Sequence, residues 1–181
     1  MKIAITGHTA GIGAELARVY KSLGHEIVGL SRRDGNNIHN TSKLADMIEP
    51  CDVFVNNAQS GYAQTELLFE ISQRWATARK HIIVISTMMT QDPVSVLPGL
   101  DMDHYRIQKV ALEQAVQQLR YRHLMIRYTI VRPGNIATSA DKTVPPAADT
   151  RNWADFLVGT LTAADQQGLM ISEISLGPAY Q

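Results

Sequence analysis

The first residues of the chain constrain its fold more than any other stretch. A short β-rich run, Lys2–Thr6, leads directly into the turn Gly7–Gly13, and apolar residues then recur at helical spacing until Gly24. The sequence therefore predicts a strand, a glycine-rich turn and a helix. The first amides of a helix lack intrahelical partners, and glycines let the backbone approach an anion closely. This favours a dinucleotide pyrophosphate at the turn; the alternative is a turn that binds nothing.

Composition excludes several classes of function. The chain has 181 residues, with 17 Lys and Arg against 17 Asp and Glu, so no general attraction to nucleic acid or acidic membranes is expected. No apolar run is long enough to cross a bilayer, and a strand beginning at Lys2 leaves no room for a signal peptide. Cys51 is the only cysteine and the six histidines form no metal pattern. We therefore expect a cytoplasmic protein without a metal site, in which Cys51 is a packing residue.

Strand-like and helix-like segments alternate along the rest of the chain. Strands are predicted at Glu26–Leu30, a stub around Ile38–His39, Asp52–Val55, His81–Ile85, Met125–Val131 and Leu169–Leu176. Helices are predicted at Ser42–Ile48 with Thr41 as cap, Thr65–Ala78, about Asp103–Arg120 with the apolar stripe Ile107, Val110, Ala111 and Val116, and Asn152–Leu161. No linker or repeat is visible. The predicted class is therefore α/β: a single compact domain, residues 1–181, with a three-layer Rossmann-type doubly wound parallel sheet.

Four motifs follow one another in a fixed order: Thr6-Gly7-x-x-x-Gly11-Ile12-Gly13, Asn56-Asn57-Ala58, Tyr105-x-x-x-Lys109 and Arg132-Pro133-Gly134. Each motif alone is weak, but the ordered set resembles the short-chain dehydrogenase/reductase family from Met1 to about Gly177. The resemblance implies a Rossmann-type fold, a nicotinamide cofactor and hydride transfer to or from a small carbonyl or alcohol. It also implies a homodimer or homotetramer built on the third and fourth predicted helices.

The resemblance assigns the catalytic roles. Tyr105 and Lys109 share a helix face, and a nearby ammonium is expected to lower the pKa of the tyrosine toward the working pH. Tyr105 is then the acid that protonates the carbonyl oxygen, and Lys109 also binds the ribose of the cofactor. The family places a serine at the end of the preceding strand. Thr87 occupies that position in this sequence, and Ser86 is the alternative. The other interpretation is that both hydroxyls only form hydrogen bonds with backbone groups at the end of the strand.

The resemblance also assigns the cofactor contacts. Ser31 stands where NAD-preferring relatives have an acidic residue, and Arg32 follows it, which favours NADP(H) over NAD(H). Asp34 is close enough in sequence to offset this preference partly. The remaining expected contacts are, in chain order, Gly7, His8, Thr9, Gly11, Ile12, Gly13, Asn40 at the adenine, Asn57, Ala58, Tyr105, Lys109, Pro133, Gly134, Ile136 and Thr138.

The chain also departs from the family pattern. It is short for the family, and the asparagine that serves relatives as a fourth catalytic residue has no clear counterpart between Asn57 and His81. The loop before the Tyr105 helix is apolar, which indicates a pocket wall, core packing or a subunit contact. Two other functions therefore stay open: an NADP(H)-binding sensor with little catalysis, and an epimerase or dehydratase that recycles its cofactor.

Overall fold

The described part of the chain is built on one parallel sheet. The computed structural model describes residues 1–91, 102–138 and 147–179. Its strands are β1 (Lys2–Thr6), β2 (Glu26–Leu30), β3 (Val53–Asn56), β4 (His81–Ile85), β5 (Arg127–Pro133) and β6 (Glu173–Leu176). They lie in the order β2-β1-β3-β4-β5-β6, and every neighbouring pair is parallel. The carboxyl ends of the strands therefore meet at one edge, where open α/β sheets bind ligands.

Helices cover both faces of this sheet. Those described are α1 (Gly11–Ser22), α2 (Thr41–Ile48), α3 (Ala63–Arg74), α4 (Met102–Arg122) and α5 (Thr150–Gln166). Leu16 of α1 and Leu157 of α5 belong to the core on one face. Leu67 of α3 and Val116 of α4 belong to the core on the other face, which α2 also joins. Because both faces are buried, the central strands are almost continuously apolar, and the doubly wound prediction is confirmed.

The predicted strand at Ile38–His39 is wrong. The structure has a turn at these residues, so β2 is an edge strand of the described sheet. Ile38 is buried in the same core as Leu44 and Ile48 of α2, so one apolar side chain enters the core from a turn. A parallel crossover normally needs about a dozen residues or more, and the loop after β2 is too short to supply a strand and its helix.

The start of α2 also differs from the prediction. Thr41 is the first helical residue, and Asn40 is the cap, because Asn40 Oδ1 accepts from the main-chain N–H of Lys43 at 3.4 Å. Asn40 is exposed, and its contact with adenine stays a prediction. A single helix between β3 and β4, as the sequence indicates, is confirmed by α3. Most of the apolar loop before α4 lies outside the described residues.

Cys51 is buried in the core, as expected of a packing residue. Within the described ranges, no group of His, Cys, Asp or Glu residues is arranged to hold a metal ion. The helices described there are too short or too polar to cross a membrane.

Candidate active site

The glycine turn between β1 and α1 has the geometry of an anion-binding site. Gly7 has a positive φ of 73°, and its N–H donates to Leu30 O at 2.8 Å, which fixes the turn against β2. Helix α1 begins at Gly11, and the residue before it, Ala10, provides no side-chain cap. The first amides of α1 are therefore available to an external acceptor, and an anion at a helix N-terminus is a suitable one.

Gly13 lets α1 approach this turn closely. A Cβ at Gly13 would lie 2.4 Å from Gly7 O and 2.6 Å from Asn57 Nδ2, which is closer than van der Waals contact permits. The first turn of the helix therefore packs directly on the glycine turn and on the segment after β3. The structure brings together the cofactor contacts expected here: Gly7, His8, Thr9, Gly11, Ile12 and Gly13.

Thr6 joins the ends of β1 and β3. The main-chain N–H groups of Asn57 and Ala58 donate to Thr6 Oγ1 at 2.9 and 3.0 Å, and Asn57 Nδ2 donates to Thr6 O at 2.9 Å. The expected cofactor residues Asn57 and Ala58 therefore lie beside the glycine turn. The side-chain amide of Asn57 holds the two strand ends together.

The segment after β5 also reaches the glycine turn. A Cβ on Gly11 would lie 3.4 Å from Thr138 Cβ, so Thr138 lies against the start of α1. Thr138 is exposed, whereas Ile136 is buried and forms a β-bridge with Ala148. Of these two expected contacts, Thr138 is the one whose side chain is accessible to a ligand.

Pro133 and Gly134 lie where β5 meets the end of β6. Pro133 is the last residue of β5, and the N–H of Gly134 donates to Leu176 O at 2.8 Å. A Cβ on Gly134 would come within 2.8 Å of Gly177 Cα. Close approach of two chain segments therefore accounts for this glycine, and its contact with a cofactor stays a prediction.

The residues after β2 carry a carboxylate as well as the expected phosphate contacts. Ser31 Oγ donates to Asp34 Oδ2 at 2.6 Å, and His8 Nε2 lies 3.6 Å from the same oxygen. The His8 ring packs on Gly29, where a Cβ would lie 2.4 Å from ring atoms. Arg32 is exposed at the start of a 3₁₀ turn. The Ser31 hydroxyl is thus engaged by Asp34, and Arg32 is accessible beside it.

The residues expected to carry catalysis meet beside the end of β4. Tyr105 and Lys109 are one turn apart on α4, and Lys109 Nζ lies 5.6 Å from the centre of the Tyr105 ring. Thr87 follows β4, and its side chain lies close enough to Tyr105 to influence the pKa of the phenol. Burial raises the pKa of Tyr105, and Thr87 acts in the opposite direction. The expected lowering of this pKa by Lys109 is therefore not the dominant effect here.

Ser86, the alternative to Thr87, is held behind the site by a buried carboxylate. Its Oγ donates to Glu113 Oε1 at 2.5 Å, and Thr90 Oγ1 donates to the same oxygen at 2.8 Å. Arg132 binds this carboxylate through Nε at 3.0 Å and Nη2 at 2.7 Å. Thr87 therefore faces Tyr105, whereas Ser86 belongs to a charged network that links β4, α4 and β5.

The buried face of α4 differs from the predicted apolar stripe. Ile107 is 51% exposed, whereas Lys109 and Glu113 are 3% and 9% exposed. Of the predicted stripe, Val116 is the residue that is fully buried. The helix therefore turns a polar face inward at its active-site end. The predicted apolar stripe was wrong because Lys109 and Glu113 are bound by buried partners on other elements. Helical periodicity does not reveal such partners.

Lys109 is bound by acceptors of the protein itself. Its Nζ donates to Gln64 Oε1 and to Ile85 O, each at 2.8 Å. Burial lowers the pKa of Lys109 to about 7, and the Glu113 carboxylate acts in the opposite direction. Gln64 lies in the first turn of α3. Gln64 could not be recognised from the sequence, because one glutamine on an amphipathic helix belongs to no motif.

The strand order and the glycine turn define the fold class, which is the Rossmann-type fold of the short-chain dehydrogenases/reductases. No protein-family model matches the sequence, and no curated protein matches it. Solved structures do match the fold. An alcohol dehydrogenase from the archaeon Thermococcus sibiricus, complexed with 5-hydroxy-NADP, has a TM-score of 0.75 at 15% identity, covering 99% of this chain and 97% of that chain.

Two further structures show the same similarity. A metagenomic short-chain oxidoreductase in complex with NADP has a TM-score of 0.70 at 24% identity, covering 99% of this chain and 98% of that one. A 3-ketoacyl-(acyl-carrier-protein) reductase from Brucella melitensis, complexed with NADH, has a TM-score of 0.75 at 13% identity, covering 97% and 96%. At such identities the similarity establishes the fold, and the activity is argued from the site.

Proposed function

We propose that this chain is an NADP-dependent oxidoreductase of the short-chain dehydrogenase/reductase type, which transfers a hydride between the cofactor and a small carbonyl or alcohol. One observation carries the proposal: a buried lysine, Lys109, lies one helical turn from Tyr105 with its Nζ 5.6 Å from the ring centre, and Thr87 lies beside the same phenol. This group lies at the same sheet edge as the uncapped start of α1. A proton donor and an anion-binding turn on one edge are the parts that a carbonyl reduction requires.

The residues present fit a nicotinamide dinucleotide. Helix α1 begins without a side-chain cap where Gly13 packs on the glycine turn, so its first amides would bind a pyrophosphate, and Thr138 lies beside Gly11. Lys109 has one ammonium hydrogen beyond the two bound by the protein, and this hydrogen would bind the ribose. The exposed Arg32 would hold the 2′-phosphate of NADP, whereas the hydroxyl hydrogen of Ser31 is already donated to Asp34. When bound, the cofactor supplies or accepts the hydride.

The side chains of the site account for the proton transfer. Because burial raises the pKa of Tyr105, its phenol is protonated near neutral pH and is ready to act as an acid. In the reductive direction, Tyr105 donates this proton to the carbonyl oxygen, and the Thr87 hydroxyl donates a hydrogen bond to the same oxygen. The phenolate left behind is stabilised by the positive charge of Lys109, and a proton from solvent restores Tyr105.

The similar structures support the cofactor class. The Thermococcus sibiricus and metagenomic proteins are described as complexes with 5-hydroxy-NADP and NADP, and the Brucella melitensis protein as a complex with NADH. We also infer a single-domain cytoplasmic enzyme that forms a homodimer or homotetramer through α3 and α4. Large apolar side chains exposed on these helices, Phe69 and Ile107, support the association. Light scattering that finds a monomer at working concentration would reject it.

The test compares wild type with Tyr105→Phe in NADPH oxidation assays over a panel of small aldehydes and ketones. We expect the substitution to lower turnover by about 100- to 10,000-fold, the usual contribution of a general acid, while NADPH binding by fluorescence is retained. Tyr121→Phe is the matched control, because Tyr121 lies on the same helix and is 83% exposed. Arg32→Ala is expected to remove the preference for NADPH over NADH.

Each other outcome points to a different function. Tight NADPH binding without turnover of any carbonyl or alcohol would favour a cofactor-binding sensor. Product formation without net change in NADPH absorbance would indicate an epimerase or dehydratase. If neither nucleotide binds to the wild-type protein, the oxidoreductase proposal fails.

A further inference from the structure

The buried ammonium of Lys109 needs acceptors, because a charge removed from water is costly unless it is hydrogen-bonded. An ammonium has three hydrogens to donate. Two of them are bound by Gln64 Oε1 and Ile85 O, each at 2.8 Å. These two acceptors fix the direction of the third hydrogen. Gln64 is therefore part of the geometry around Lys109, although it lies on a different helix.

Gln64 is itself held in one orientation. Its Nε2 donates to Asn56 O at 2.7 Å and to Ile85 O at 3.1 Å, and its main-chain carbonyl accepts from Asn56 Nδ2 at 2.9 Å. The residue is 2% exposed. A flipped amide would direct its oxygen at two carbonyl oxygens and its NH₂ group at an ammonium. The surrounding groups therefore require that Oε1 faces Lys109.

We propose that Gln64 is the positioning residue for Lys109: its fixed side-chain carbonyl and Ile85 O bind two ammonium hydrogens and leave the third for a ligand beside Tyr105. This inference rests on the proposed function, since it explains how Lys109, a residue of the proposed active site, is held in position. Gln64 touches neither substrate nor cofactor in this role. It acts by stabilising the charged form of Lys109 and by fixing the direction of the third ammonium hydrogen.

The charged and titratable groups around Lys109 are few among the described residues that pack on it. Tyr105 and Glu113 lie on its own helix, and the Glu113 carboxylate is bound by Arg132 of β5. Helix α3 presents the neutral Gln64 and β4 presents the carbonyl of Ile85. A change at residue 64 therefore alters the field at the ammonium while the Glu113–Arg132 pair is left in place.

The experiment uses two substitutions with opposite expected signs. Gln64→Met keeps the length of the side chain but removes the acceptor, so the charged form of Lys109 loses a partner and its pKa falls by about one unit or more. Gln64→Glu places a negative charge beside the ammonium, so the pKa of Lys109 rises. The control is Gln73→Met on the same helix, where the side chain is exposed.

The pKa of Lys109 is measured directly by NMR titration of the protein labelled with carbon-13 at lysine Cε, the resonance being assigned with Lys109→Arg. The pH dependence of kcat with NADPH is measured in parallel. In the Met variant we expect the alkaline fall in kcat to begin about one pH unit lower, which corresponds to about a tenfold loss at a fixed pH above the pKa. In the Glu variant the fall moves to higher pH.

Shifts of opposite sign support the positioning role, because a purely structural defect would not reverse with the charge at residue 64. If the Met variant does not fold, the Glu variant still decides through the direction of its shift. A Lys109 titration that is the same in wild type and the folded variants overturns the inference. The NMR titration needs no turnover, so the inference and the oxidoreductase proposal can fail separately.

Discussion

The carboxylate of Asp34 lies 3.6 Å from the imidazole of His8, which places an acidic group between the glycine turn and the residues after β2. The same oxygen accepts the hydroxyl hydrogen of Ser31, one of the residues expected to favour NADP. A carboxylate here opposes the binding of a 2′-phosphate, and the neighbouring Arg32 favours it. We therefore expect the cofactor preference to depend on a balance between these two opposite charges.

Replacing Asp34 by asparagine should shift this balance toward NADPH. The Asp34 side chain is 49% exposed, so solvent screens its charge and the expected gain is modest, about three- to tenfold in the ratio of NADPH to NADH affinity. Fluorescence titration with both nucleotides measures the ratio. Asp46→Asn is the control, since Asp46 is an exposed carboxylate on α2 that pairs with Arg74. An unchanged ratio in Asp34→Asn would show that Asp34 does not face the 2′ position.

Gly13→Ala should prevent nucleotide binding. The added Cβ would lie 2.4 Å from Gly7 O, so α1 must move away from the turn and its first amides lose their position. We expect the affinity for NADPH to fall by about 100-fold or more, since several charge-assisted hydrogen bonds are misplaced.

Gly159→Ala on α5 is the matched control for this change. A Cβ at Gly159 meets nothing within 4 Å, and alanine in a helix interior is favoured over glycine by about 0.5–1 kcal/mol. This variant should bind NADPH normally and resist urea slightly better than wild type. Normal binding by Gly13→Ala would place the nucleotide elsewhere.

Glu113→Gln should lower the free energy of unfolding more than the removal of an exposed carboxylate does. Glu113 binds Arg132, Ser86 and Thr90, and the change removes one of the two carboxylates that neutralise the buried guanidinium, leaving the partly exposed Glu173 at 2.8 Å from Nη1. Breaking a buried ion pair on one side costs about 3–5 kcal/mol, measurable as the free energy of unfolding in urea. In Glu26→Gln, which removes the exposed partner of Lys2, stability should stay close to wild type. Similar losses in both variants would refute a special role for the buried network.

The layered sheet could be predicted from the sequence because its signals are local. Apolar strand runs, helical periodicity and the glycine turn after β1 each lie within a few consecutive residues. The predicted strand at Ile38 was wrong for the same reason: an isolated apolar residue after a polar loop resembles the start of a strand, but the side chain of Ile38 is buried in the core from a turn. Whether a segment has room for a crossover is a property of the folded chain.

The polar interior of the site could be predicted only in part. Tyr105 and Lys109 are recognisable because their spacing is one of four motifs that follow one another in a fixed order. Gln64 and Glu113 are distinguished only by their buried partners, which lie far away in sequence. No periodicity separates a buried glutamine on α3 from the exposed Gln73 on the same helix. Tertiary contacts decide this difference, and a single sequence does not display them.

The stability of the fold should depend on pH through His81. Burial lowers the pKa of His81 to about 4 from an ordinary value of 6.5, and its Nε2 lies 2.9 Å from Thr129 Oγ1. Between these two pH values the unfolded chain binds a proton that the folded chain does not. The contribution of neutral His81 is therefore fully present above pH 6.5 and is lost progressively as the pH falls to about 4.

The expected loss is about 3 kcal/mol, since each pKa unit corresponds to about 1.4 kcal/mol. Urea unfolding followed from neutral pH down to about pH 4 measures it, with His81→Gln as the test variant. Glutamine retains a hydrogen-bonding group for Thr129 but does not titrate, so the part of the pH dependence due to His81 should disappear. His39→Gln, at an exposed histidine, should leave the wild-type slope unchanged. If His81→Gln keeps the full slope, carboxylates rather than this histidine govern the loss of stability in acid.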